Sequence, residues 1–135
     1  EEAQYTPFDA SNQRLPKVLV VDDNVVNLVI MRKFLANLGI DADVAANGRE
    51  AIDLVQRQDF DLVFMDVQMP EIDGLAATRL IRELSLSTQP FIIALTANAF
   101  ETDRERCLAA GMNDFLSKPF LFDDIKNKLS SFWQA

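Results

Sequence analysis

The chain has 135 residues, with 13 Lys and Arg against 21 Asp and Glu; the net charge of −8 argues against direct contact with nucleic-acid phosphates. With 49% apolar and 25% charged residues it reads as one globular domain, and no apolar run nears the roughly 20 residues of a membrane span. It contains no histidine, which excludes Ser-His-Asp and Cys-His catalysis and the common His-based zinc sites, and its single Cys107 cannot form an internal disulfide.

Residues 1–16 are polar, hold two prolines and show no period, so they read as a linker or tail ahead of a domain at 17–135. The chain opens without Met and without a secretory signal, so it is expected to be a piece of a longer, cytoplasmic protein. From Lys17 the pattern becomes regular. Val18-Leu19-Val20-Val21 is a buried-strand run closed by Asp22-Asp23-Asn24, and a helix follows to Gly39 with a core stripe of Leu28, Met31, Leu35 and Leu38. Asp43–Ala46 is a weak second strand, turned by Asn47-Gly48 into a helix carrying Ala51, Ile52 and Val55. Leu62–Met65 forms the third run and stops at Asp66; Val67–Gly74 is a loop, since Pro70 and Asp73-Gly74 punctuate it. A helix with Ala77, Leu80 or Ile81, and Leu84 comes next, then the strand Phe91–Leu95, stopped by Thr96. A helix from about Ala99 to Ala110 ends at Gly111, the short strand Asn113–Ser117 ends at Lys118-Pro119, and a last helix shows Phe122, Ile125, Leu129 and Phe132.

Five apolar strands alternating with five helices imply a parallel sheet covered on both faces, an α/β doubly wound architecture. Ligands of such sheets bind outside the carboxyl ends of the strands. Asp22-Asp23, Asp66, Thr96 and Lys118 follow the first, third, fourth and fifth strands, so all four groups gather at one edge. Two like charges about 4 Å apart repel by on the order of 4 kcal/mol at an effective dielectric near 20, so the three acids call for a cation. Lys118 is one; Mg²⁺, which takes carboxylate and phosphate oxygens, is the stronger candidate. An Asp beside Mg²⁺, with a hydroxyl and an ammonium at hand, is equipped to accept a phosphoryl group.

The motifs Val20-Val21-Asp22-Asp23-Asn24, Val63–Pro70, Asp73-Gly74, Ala94-Leu95-Thr96-Ala97 and Lys118-Pro119, in this order and each at a strand end or the loop after it, resemble the receiver domain of two-component response regulators. The likeness runs from Lys17 to about Phe132. Asn27 after Asp22-Asp23-Asn24, Asp66-Val-Gln-Met-Pro and Leu95-Thr-Ala-Asn-Ala are most similar to receivers of hybrid histidine kinases, some of them membrane-anchored. The resemblance implies a flavodoxin-like (βα)5 fold with sheet order 2-1-3-4-5. It implies that Asp66 accepts phosphate, that Asp23, Asp66 and the Gln68 backbone carbonyl hold Mg²⁺, and that Asp22 acts through bound water. Thr96 and Lys118 would grip the phosphoryl group, Phe115 would be the aromatic switch, and Gln68 and Asn98 would tune phosphate lifetime. The implied partner is a histidine kinase core or histidine phosphotransfer domain; a homodimer is allowed but not required. Such a domain is no enzyme toward other substrates and catalyses only its own phosphorylation and dephosphorylation.

Taken singly, these residues have ordinary readings. Asp22-Asp23 could cap a helix, Asp66 could belong to a turn, Thr96 could cap the next helix and Lys118 could be a surface lysine. Jointly, at one sheet edge, they favour the phosphoacceptor. A Mg²⁺-dependent phosphohydrolase of the haloacid-dehalogenase-like kind needs a second Asp two residues after its nucleophile, where this chain has Gln68. A receiver-shaped interaction domain that is never phosphorylated usually lacks an acid or the lysine, and this chain keeps them all. One surface is left over: the first helix is apolar nearly all round, and Val26 and Ile30 opposite its core stripe read as a docking face for the histidine-bearing partner.

Overall fold

A computed structural model describes residues 15–97 and 101–132. Ten elements alternate along it: β1 (Val18–Val21), α1 (Val25–Asn37), β2 (Asp43–Ala45), α2 (Gly48–Arg57), β3 (Leu62–Asp66), α3 (Gly74–Glu83), β4 (Phe91–Thr96), α4 (Glu101–Ala110), β5 (Asp114–Ser117) and α5 (Phe122–Phe132). All five strands are parallel, in the order β2-β1-β3-β4-β5 that the resemblance implies.

Side chains alternate across the strands, so each strand feeds two cores. Val18, Val20, Leu62, Phe64, Ile93 and Leu95 pack with Leu28, Met31 and Leu35 of α1 and Ile125 and Leu129 of α5. Leu19, Val21, Val63, Met65, Ile92 and Ala94 pack on the other face with residues of α2, α3 and α4. That double burial is why the strands read as unbroken apolar runs rather than alternating ones.

Helix ends follow local chemistry. Asn24 caps α1 by accepting from the N–H of Val26 and Asn27, Asn47 caps α2 through the N–H of Glu50, and Asp73 caps α3 through the N–H of Ala76. Gly39 and Gly111, the expected stops after α1 and α4, have φ of +83° and +109°, which an L side chain resists. Gly74 is needed for another reason. A Cβ there would overlap the carbonyl oxygen of Asp66 and lie 2.8 Å from its carbonyl carbon, so only glycine lets α3 start against the end of β3.

Of the two α3 candidates, Ile81 is buried and Leu80 is exposed. From α3, Arg82 ties down the rim opposite the acids. Its Nε donates to the Gly111 carbonyl (2.9 Å), Nη1 to the Pro90 carbonyl (2.7 Å) and Gln89 Oε1 (2.9 Å), and Nη2 to Asn113 Oδ1 (2.8 Å).

Candidate functional site

Strand register assembles the acids. Val21 pairs with Met65, so the next step along each chain sets Asp22 beside Asp66 at one rim. Thr96 pairs with Ser117, which brings Lys118 just past the end of β5, where its N–H donates to the Thr96 carbonyl (2.8 Å). Carboxylate oxygens of Asp22, Asp23 and Asp66 all fall within 4.8 Å of one another. Asp22 and Asp66 are buried and Asp23 is exposed, so the cluster opens to solvent on the Asp23 side.

Lys118 bridges the two buried acids. Its Nζ lies 3.1 Å from Asp66 Oδ1 and 3.5 Å from Asp22 Oδ2. The N–H of Gln68 also donates to Asp66 Oδ1 (3.3 Å), curling the loop after β3 back over the carboxylate. Burial pushes the Asp66 carboxyl up from 3.8 to about 6; the Lys118 hydrogen bond opposes that rise, and the nearby charge of Asp22 adds to it. Asp66 is therefore mostly ionised at neutral pH yet more basic than a solvated carboxylate, a favourable state for a nucleophile.

The donor set is all oxygen and carries three negative charges against one ammonium, which suits a hard divalent cation. Beyond Thr96, a cavity of about 460 Å³ opens between the loop after β3 and α4, lined in part by Gln68, Met69, Thr96, Arg106 and Cys107. Burial raises the Cys107 thiol above its ordinary range, which fits a packing role.

The remaining expected residues are dispersed around this centre. Phe115 on β5 is half-buried, with the Arg104 guanidinium 4.5 Å above its ring and Lys128 Nζ 5.7 Å from it. Asn98 lies outside the described residues. On α1, Val26 is 63% exposed, whereas Ile30 is half-buried; Val25 at 68% and Val29 at 49% complete the apolar surface instead. The Lys118–Pro119 peptide bond is cis.

The periodicity of the sequence did not reveal two neighbours of the site. Arg104 sits on the polar side of α4, with no signal that it would cover an aromatic ring. Asn27, in the first turn of α1, donates from Nδ2 to Asp22 Oδ2 at 3.1 Å. The likeness to hybrid-kinase receivers singled out Asn27 but gave it no place in the site.

A family model described as the response regulator receiver domain matches residues 18–130. The chain is 42% identical over 120 residues to hybrid signal transduction histidine kinase K of Dictyostelium discoideum, covering 84% of the chain but 10% of that kinase. Among solved structures it is similar to the receiver domain of the Pseudomonas aeruginosa sensor histidine kinase PA1611, described with a magnesium ion coordinated in the active site cleft. That likeness has a TM-score of 0.80 and 40% identity, and covers 88% of this chain and 98% of the other. A chain of the Saccharomyces cerevisiae co-crystal of the histidine phosphotransfer protein Ypd1 with the receiver domain of Ssk1 matches with a TM-score of 0.80 and 32% identity, over 89% of this chain and 91% of that one.

Proposed function

The chain belongs to the response regulator receiver family, and from that premise we propose that Asp66 is the phosphoacceptor of a two-component phosphorelay. The observation that carries this reading is the single ammonium of Lys118 held between Asp66 and Asp22 in a pocket of three acids. The donor is a phosphohistidine on a histidine kinase core or histidine phosphotransfer domain, as the hybrid-kinase relatives and the Ypd1 co-crystal support. The Asp66 carboxylate attacks phosphorus as the P–N bond to the imidazole breaks. The products are an acyl phosphate on Asp66 and an imidazole that takes up a proton.

Asp23, Asp66 and the Gln68 backbone carbonyl would hold Mg²⁺, with Asp22 acting through water; the bound ion supplies positive charge against the phosphoryl oxygens. Lys118 and Thr96 stabilise the same oxygens from the protein side. The new dianion draws these two residues inward, and Phe115 follows, reshaping the surface of α4, β5 and α5. Gln68 and Asn98 govern how readily water reaches the acyl phosphate. Val26 and Ile30, with Val25 and Val29 beside them, receive the histidine-bearing partner. Residues 17–135 carry this activity behind a linker at 1–16, on the cytoplasmic side of a parent kinase; among the described residues no helix is long and apolar enough to cross a membrane.

The test is intact mass after treatment with acetyl phosphate and Mg²⁺. Wild type gains one phosphate and Asp66→Ala gains none. Labelling of both, or of neither, overturns the assignment.

A further inference from the structure

Asp22 is fully buried, and its two oxygens are committed to different donors. Oδ1 accepts the N–H of Asn24 at 2.9 Å. Oδ2 accepts Nδ2 of Asn27 at 3.1 Å and faces Lys118 Nζ at 3.5 Å. The same Nζ is nearer to Asp66 Oδ1, at 3.1 Å. One ammonium thus stands between two buried carboxylates, and a neutral amide shares the load on one of them. A buried carboxylate oxygen is costly unless it is hydrogen-bonded, so whatever satisfies Asp22 Oδ2 decides how strongly Asp22 competes for the lysine.

We propose that Asn27 is a positioning residue for phosphoryl capture: by satisfying Asp22 Oδ2, its amide leaves Lys118 biased toward Asp66. The inference rests on Asp66 being the phosphoacceptor, since only then does the place of Lys118 matter to the chemistry. Without the amide, Lys118 is the remaining donor to Asp22 Oδ2 among the described residues. The ammonium then shifts across the pocket, away from the oxygens it must meet at Asp66. An amide suits the task because it donates without adding charge to a crowded acidic site. The side-chain hydrogen bond that Asn27 makes in this site goes to Asp22, so it acts through Asp22 and Lys118.

The test is a double-mutant cycle. Asn27→Leu keeps the size and removes the donor. It lowers the rate of Asp66 phosphorylation by acetyl phosphate at saturating Mg²⁺ by about tenfold, and Asn27→Gln, which retains a donor, recovers much of it. In a Lys118→Ala background the same Asn27→Leu change has no further effect. A metal-free crystal structure of Asn27→Leu places Lys118 Nζ closer to Asp22 than to Asp66. An unchanged rate, or an equal loss in the Lys118→Ala background, overturns the proposal in favour of a purely structural cap. Should wild type take up no phosphate, the phosphoacceptor reading fails on its own account, and the position of Lys118 in the metal-free variant still decides the role of Asn27.

Discussion

Lys118 and Asp66 are 52 positions apart in the chain, yet Nζ reaches to 3.1 Å from Oδ1 across the end of the intervening strand β4. The contact is made possible by register, because β3, β4 and β5 end within one residue of one another. It is also incomplete compensation. Burial raises the Asp66 carboxyl despite this partner, so the folded protein holds a charge there at a cost.

That cost has a sign. A carboxyl with a pKa of about 6 in the folded state and 3.8 unfolded binds more protons when folded, so the stability it confers is present at low pH and lost as pH rises from about 4 to about 6. With divalent metal chelated, Asp66→Asn is expected to stabilise the fold at pH 8 by about 1–3 kcal/mol, seen as a higher Tm, and to leave stability nearly unchanged at pH 4. Thermal melts of both proteins across that range check it. A variant that melts lower than wild type at pH 8 would show that the Lys118 pair outweighs burial.

Gly74 offers a purely steric probe of the same strand end. Gly74→Ala drives a methyl group into the backbone of Asp66, so α3 or the β3 terminus must move. The expected loss is about 2–4 kcal/mol in urea denaturation, with slower phosphorylation of the protein that remains folded. Wild-type stability in this variant would mean that the loop after β3 yields freely.

The apolar start of α1 is tested with charge. Val26 is the cleaner target than Ile30, because Ile30 is half-buried and Val26 is exposed. Val26→Asp adds an acid to the first turn of a helix, where the helix dipole favours it. Folding should therefore be unharmed. Transfer from a phosphorylated histidine phosphotransfer domain should fall about tenfold or more, while labelling by acetyl phosphate is unchanged. Equal rates from the protein donor in both forms would remove the docking role.

The strands β1, β3 and β4 were legible because double burial writes them as apolar runs, and the residues that end them fall together at the acidic rim. Gly39 and Gly111 were legible because a positive φ has a strong residue preference. The choice between Leu80 and Ile81 was not, since neighbours on a helix lie about 100° apart and both border the apolar stripe. The α1 surface was half legible: periodicity found an outward apolar face, but Val25 and Val29 are more exposed than Ile30. The Arg82 network left no pattern at all, because three of its four acceptors lie 8 to 31 positions away and two of the four are backbone carbonyls.

That network has a mechanical consequence. Arg82 anchors the chain just after α4 at Gly111 and Asn113, while the chain entering α4 comes from Thr96 at the opposite end of the sheet. The far end of α4 is thus pinned by side-chain hydrogen bonds from α3. Any displacement at the Thr96 end would meet its firmest resistance at the far rim, where the Arg82 guanidinium holds Gly111 and Asn113.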